Sequence, residues 1–467
     1  MLSLKLYETI IGSIAMMLLL FLSGYFYLEK MTQMDSAFAT IAIVNKAGFV
    51  VPHYRFPIVF TQVLPVLLIW LSAPLKWVIF SYSVNFYLLY ALCYGVAVFH
   101  YKQPLVAMLI PVVCILNSAE VFFIQTEILH GLVFAALFLA WLEFHRQKDV
   151  LFGELLAGFL TAAMAFLFHP IANILLLFVL VFFLIRNNLK PTAFQYSVGA
   201  VAVLWLLLKA YLMPDNGYED QFYSQQHTLT DTFSAPLQSF VMKFYSMHST
   251  DLYLLTNILF ALAVIVYGVL KQWILLLLTI FSAVGYLLLM SVLFKGDSNV
   301  MMERVFLGLA LVVVVSFSDC LRRVKIPQWG KALVWIVVFT SGFNTILQAA
   351  NRQTNHLNLS KALAEKLQNQ PGHKFYTTEA DIPFAHEYVM WPLACEQLMV
   401  SAIYHPESVK TIYMFASREE AKSLLAEKMH NRKILIAPFY LKIEDSVFNK
   451  TYFSIPAETY QYIQPYP

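Results

Sequence analysis

Charge is what this chain has least of. Of its 467 residues only 13% are Asp, Glu, Lys or Arg, against about 25% in an average soluble domain. With 60% of the residues hydrophobic, a water-soluble body of this length could not hide its apolar surface, which excludes a soluble enzyme. Cysteine is scarce as well. Cys93, Cys114, Cys320 and Cys395 form no Cys-x-x-Cys pair, so neither a zinc site nor a disulfide framework is indicated. There is no Lys/Arg-rich run, and a formal net charge of +3 gives no reason to expect nucleic acid as a partner. Internal repeats and low-complexity tracts are missing too.

What the chain does have is apolar segments. They fall near 8–28, 57–73, 77–99, 104–119, 121–142, 151–168, 170–186, 192–213, 251–270, 272–294, 303–320 and 331–349. Most approach the roughly 20 residues that a helix needs to cross a bilayer. The first run ends at Glu29-Lys30 with no A-x-A cleavage pattern and reads as an uncleaved span. From Asn351 onward the composition changes: 12 Lys/Arg and 12 Asp/Glu fall in 117 residues, whereas the first 350 hold the other 35 charged groups. The expected organisation is a polytopic, all-α membrane domain over 1–350 and a small soluble domain over 351–467.

Lys and Arg in short loops stay on the cytoplasmic side. The strongest such cluster is Arg322, Arg323, Lys325 and Lys331, and alternation back along the chain puts Lys271, Arg186/Lys190, Arg146/Lys148 and Lys102 on the same side. The N-terminus is then cytoplasmic and the C-terminal domain external, periplasmic in a Gram-negative cell, in an integral inner or plasma membrane. That orientation requires an odd number of crossings, so one of the twelve segments does not cross. The choice falls on 57–73, which carries Pro57, Pro65 and Gln62 and is followed by Pro74. It reads as a re-entrant or juxtamembrane helix, which leaves about eleven crossings and a long first external loop, 29–76.

In the C-terminal domain, Leu357–Gln368 and Arg418–Met429 have helical patterns, and Lys374–Thr378, Val409–Ala416 and Lys433–Leu441 read as strands. Strand–helix–strand is the sign of a small α/β unit.

Ionisable groups against a bilayer are costly, so each is a functional candidate. The external set comprises Asp35, His53 and Arg55 in the first loop, Glu120 and Glu127 at the start of a span, and His169 at a span end. Lys295, Asp297, Glu303 and Arg304 around a late loop complete it. A reaction on a lipid-linked substrate needs this mixture: a carboxylate to take a proton, cations to hold a phosphate and an apolar groove for the tail. The long segment Pro214 to Thr250 could bind an acceptor, cover the site, or form a surface helix pair.

Several stretches resemble the GT-C superfamily of glycosyltransferases, the polyprenyl-phosphate-sugar-dependent enzymes that include protein mannosyltransferases and aminoarabinose transferases. An Asp follows the first span (LEKMTQMDSAFATIA), then a proline-flanked apolar helix (HYRFPIVFTQVLPVLLIWL). The stretch NSAEVFFIQTEILHGLVFAALFLAWLEFHR, then GELLAGFLTAAMAFLFHP, and the late NVMMERVFLGLALVVVV are also similar to that family. The resemblance covers roughly residues 8–350. One departure is that Asp35 stands alone between Met34 and Ser36, where many members have two adjacent acids. No cofactor is required by the sequence, and a divalent metal lacks its second acid.

The resemblance implies that Asp35 is the general base on an acceptor hydroxyl, which displaces a lipid phosphate from the anomeric carbon with inversion. It implies Arg304, then Arg55, as phosphate holders, Glu127 or Glu120 as positioners of the acceptor, and His169 and His53 as further binding candidates. The partners would be a polyprenyl-phosphate-sugar donor, membrane lipids and an acceptor that is glycan, lipid or protein.

Each residue also has a structural role open to it. Asp35 could cap the following helix, the arginines could snorkel, and the two glutamates could pair with a neighbouring helix. Other functional classes are a transporter or flippase of a lipid-linked precursor, a polysaccharide polymerase or ligase, and a non-catalytic relative.

Overall fold

A computed structural model describes residues 4–124, 126–146, 150–212, 239–293, 299–382, 392–426, 433–436, 443–444 and 448–464. Of the described residues 76% are helical. In order, the first helices are α1 (Leu4–Tyr25), α2 (Tyr27–Met31), α3 (Met34–Lys46), α4 (Val59–Trp70) and α5 (Leu75–Gly95). Two short helices follow, α6 (Pro104–Ala107) and α7 (Leu109–Ile115). After them come α8 (Glu127–Phe144), α9 (Phe152–Phe168), α10 (Pro170–Arg186) and α11 (Ala193–Leu212). Then come α12 (Phe240–Met247), α13 (Leu254–Val269), α14 (Trp273–Leu293), α15 (Asn299–Arg323) and α16 (Gln328–Gln368). The remainder holds α17 (Leu393–Tyr404) and α18 (Arg418–Ala426). Its strands are β1 (Lys374–Thr378), β2 (Thr411–Phe415), β3 (Lys433–Ile434), β4 (Ile443–Glu444) and β5 (Gln461–Tyr462).

Every apolar segment read from the sequence contains helix. Among the described residues six helices are long and apolar enough to cross a membrane, within Lys5–Tyr25, Leu75–His100, Glu127–Phe144, Trp273–Leu293, Glu303–Arg323 and Gln328–Gln368. The others are shorter. The 12 residues of α4, for example, rise about 18 Å, against a hydrocarbon core of about 30 Å. Outward faces carry the signature of a lipid contact. Ile10, Ile14, Met17 and Phe21 on α1 are exposed at helical spacing, as are Ile274, Leu277, Phe281 and Val284 on α14.

Two helices form the centre. In α8 and α15 the most apolar stretch is 83% and 94% buried, against 33% for α14. Both are apolar all round, so neither has a face to offer solvent. α8 packs closely on α9 and α10 because a glycine stands at each close approach. A Cβ on Gly158 of α9 would lie 2.5 Å from Trp141 Cε2, and one on Gly131 would run into Ala172 Cβ and lie 3.1 Å from the Ala165 carbonyl oxygen.

Two expected boundaries move. Segments 104–119 and 121–142 were expected nearly to abut, but α7 ends at Ile115 and α8 starts at Glu127. Asn117, in the left-handed region at φ +57°, breaks the helix, and Glu120–Phe122 forms only a 3-10 turn. In contrast, segments 331–349 and 357–368 join into one 41-residue helix, α16, because nothing between Ala350 and His356 is Gly or Pro. The expected domain boundary at 350/351 therefore falls inside a continuous helix.

The small sheet has the order β2-β1-β5, both pairs parallel, with Lys374 opposite Thr411 and Phe375 opposite Gln461. The helix between β1 and β2 is α17, which packs on α3, α16 and β2. The expected strand, helix and strand over 409–441 contain β2, α18 and β3, but β3 pairs antiparallel with β4 and not within the β2-β1-β5 sheet. The sequence analysis marks no element at Leu393–Tyr404, because α17 is buried on nearly every side and has no polar face to set a period.

Gly131→Ala is expected to destabilise the protein by about 1–3 kcal/mol through overpacking. Gly153→Ala, where a Cβ meets nothing within 4 Å, is expected to be neutral or slightly stabilising. Thermal unfolding of the two variants in detergent checks the pair, and equal melting temperatures would contradict the packing.

Candidate functional site

Charge gathers at the two ends of α8 and α15. Glu127 opens α8 and Glu143 lies near its end, 16 residues later or about 24 Å along the axis. At the Glu143 end, Arg186 pairs with Asp319 at 2.7 Å and with Glu143, and Arg322 lies 3.7 Å from Glu143. Arg323 reaches Asp319 at 2.6 Å, and the Tyr267 hydroxyl donates to the same carboxylate at 3.1 Å. Arg186, Arg322 and Arg323, read from the sequence as loop charges marking one side, are thus held by acids from inside the helices.

The other end brings together four of the predicted site residues, Asp35, Arg304, Arg55 and Glu127. Arg304 of α15 donates to Asp35 Oδ2 at 2.6 Å, across 269 residues of sequence. Arg55 pairs with Glu127 at 3.0 Å, and Glu127 also feels the charge of Arg304. These four form two ion pairs in one electrostatic neighbourhood. Asp35 is 41% exposed and Arg304 16%, so the acid is the accessible member. Asp35 does not cap its helix. The N-cap of α3 is Gln33, and Asp35 lies in the first turn, where a carboxylate is favoured by the helix dipole.

Glu120 is not at the start of a span but in the 3-10 turn before α8. Its carboxylate accepts from Arg352 Nε at 2.7 Å and from Gln353 Nε2. The backbone N–H groups of Glu120 and Val121 donate to Glu303 Oε2 at 2.8 and 3.2 Å. His169 is the N-cap of α10, with Nδ1 accepting from Ile171 N at 3.2 Å. His53 lies in a turn at φ +51°, two residues before Arg55. Lys295 and Asp297, with most of Pro214 to Thr250, lie outside the described residues.

The C-terminal part holds the loop that carries Asp35. Met34 adopts φ +46°, a costly conformation for a residue with a side chain. Its N–H donates at 2.9 Å to Glu396 Oε1 of α17, while His356 Nε2 lies 2.7 Å from the other oxygen of the same buried carboxylate. Gln33 Nε2 donates to the Gln353 carbonyl at 3.0 Å. Farther along, Asn449 bonds Asn45 Oδ1 at 2.7 Å and Tyr452 bonds the Ala73 carbonyl at 2.9 Å. Gln62, the polar residue of α4, bonds both backbone groups of Val50 at 2.8 and 2.7 Å, so α4 is tied to the same loop.

Sequence reasoning passed over Glu396 and His356 because their partners are distant in sequence. It also passed over Lys30, treated as a flank of the first span. Lys30 is buried, donates to the Phe122 carbonyl, and lies 4.0 Å from the Phe122 ring centre. Among the described residues no three His, Cys, Asp or Glu side chains converge as a metal site. Comparison of the chain with family models, curated proteins and solved structures gives no match.

Glu396→Ala is expected to cost about 1–3 kcal/mol of stability by leaving the Met34 N–H without its acceptor, and Glu396→Gln, which keeps a carbonyl oxygen there, markedly less. Parallel unfolding curves measure the difference. Equal losses would contradict the role given to that hydrogen bond.

Proposed function

We propose that the chain is an integral membrane glycosyltransferase that moves a sugar from a polyprenyl-phosphate donor to an acceptor on the external side. The reading rests on the resemblance to GT-C enzymes. The observation that supports it most is the Asp35–Arg304 pair, an accessible carboxylate next to a cation at the end of an apolar bundle. In this reading about eleven segments cross, α4 lies re-entrant or along the outer surface, and the C-terminal domain is external.

The mechanism follows from the groups present. Asp35 takes the proton of an acceptor hydroxyl as its oxygen forms a bond to the anomeric carbon. The bond from that carbon to the phosphate oxygen breaks, and polyprenyl phosphate leaves with the electron pair. Inversion follows from a single displacement. The leaving group is a stable anion that needs charge stabilisation and no proton. Arg304 and Arg55 supply paired donors suited to phosphate oxygens, and each exchanges a carboxylate for the donor on binding. Glu127 and Glu120 position the acceptor in this reading, and His169 and His53 are further binding candidates. Charges gathered at helix ends favour chemistry at a surface over an ion-coupled transporter, which needs ionisable groups along a path through the bundle.

Asp35→Asn is expected to lower transfer of labelled sugar from polyprenyl-phosphate hexose or pentose donors by about 10²–10⁴-fold at unchanged protein level. Arg304→Gln is expected to weaken donor binding more than acceptor binding. Transfer that survives Asp35→Asn at more than half the original rate would remove Asp35 from the mechanism.

A further inference from the structure

His356 and Glu396 form an ion pair that no step of the transfer mechanism uses. His356 lies on α16 beyond the apolar segment 331–349, and Glu396 lies on α17. Nε2 of the ring is 2.7 Å from Glu396 Oε2, with the two side chains 14% and 2% exposed. The other carboxylate oxygen accepts the Met34 N–H at 2.9 Å. One buried carboxylate thus joins a titratable ring to a backbone held at φ +46°. The next residue is Asp35, the accessible acid of the candidate site.

The charged groups around His356 divide into those that act on the ring and those engaged elsewhere. From α17, Glu396 meets it directly. From the turn before α8, Glu120 adds its negative charge while paired at 2.6 Å with Arg352, on the same helix as His356. From α2, Glu29 accepts from Thr354 Oγ1 at 3.1 Å, and Lys30 donates to the Phe122 carbonyl. From α3, Asp35 is held by Arg304. Burial works against the imidazolium, but the Glu396 carboxylate outweighs it, so His356 holds its proton more tightly than an ordinary imidazole.

Loss of that proton has a definite consequence at Met34. With the proton on, the Glu396 carboxylate has its counter-charge beside it in the same buried site. With the proton off, the carboxylate faces a neutral ring, and water enters to hydrate it and competes for the Met34 N–H. A residue with a side chain stays in the left-handed region when its surroundings hold it there. Released from its acceptor, Met34 returns to negative φ and turns Asp35 away from its set direction.

We propose that His356 is a positioning residue for Asp35: its imidazolium holds Glu396, Glu396 holds the Met34 N–H, and the turn so fixed aims the Asp35 carboxylate at the acceptor hydroxyl. It acts through Glu396 and Met34 and not on the reacting atoms. The last step rests on the sugar-transfer reading, and the coupling from His356 to Met34 stands without it. A raised proton affinity in the folded state adds stability that is complete below the ordinary histidine range and is lost as pH rises through the raised value. The loop is therefore tight in mild acid and loosens toward alkaline pH.

The coupling is read by hydrogen exchange at the Met34 amide of full-length protein in nanodiscs, from about pH 5 to about pH 8.5, each rate divided by the intrinsic rate at that pH. The Val50 amide, which donates at 2.8 Å to the non-titrating Gln62 Oε1, is the control. Protection at Met34 is expected to fall about tenfold as pH rises across the range, with Val50 unchanged. In His356→Gln and in Glu396→Gln, each of which removes one charge of the pair, the pH dependence is expected to vanish. Protection at Met34 that is flat with pH in the wild type, or a dependence that persists in either variant, overturns the proposal.

Transfer of labelled sugar supplies the second reading. In the wild type kcat is expected to fall about tenfold over the alkaline part of the range, and in His356→Gln to be low and independent of pH there. Proton-linked protection at Met34 with no transfer from any polyprenyl-phosphate sugar supports the coupling and sinks the sugar-transfer reading. Transfer whose pH profile His356→Gln leaves unaltered sinks the positioning role and spares the enzyme.

Discussion

The organising constraint is the cost of charge in an apolar bundle. α8 and α15 are sealed along their length, so their ionisable residues are driven to the ends and must be paired there. At one end the Asp35–Arg304 and Arg55–Glu127 pairs draw the long first loop onto the starts of both central helices. At the other, Glu143 and Asp319 gather three arginines. The two networks lie about 24 Å apart along α8, close to the span of a bilayer's hydrocarbon.

The C-terminal part belongs to the same construction. α16 runs unbroken from the bundle into it, and α17 returns to clamp Met34 through Glu396. A backbone held at positive φ one residue before Asp35 means that the direction of that carboxylate is set partly from a segment more than 350 residues away in sequence. The arrangement stiffens the loop without using any residue of the two ion pairs, so the supporting contacts and the accessible acid are separate parts.

Much of this was legible in the chain. Asp35, Arg55, Glu127 and Arg304 stand out because an ionisable group bordering an apolar run is costly, and they meet as two ion pairs. β1 was readable to the residue. Other features were hidden for physical reasons. α17 is buried all round and shows no period, and the Glu396–His356–Met34 contact joins positions with no local signal. Lys30 looked like an ordinary flank because its burial depends on Phe122 and Tyr87 folding over it. The break between α7 and α8 turned on one left-handed asparagine.

The claim that a carboxylate near the first span and a guanidinium on a late helix close one end of the bundle is tested most directly by exchanging their charges. Asp35→Arg and Arg304→Asp alone each place like charges face to face, and each is expected to lower the melting temperature. The double variant restores opposite charges and is expected to recover most of the loss. A double variant that melts as low as the two single losses added together would show that the side chains do not meet.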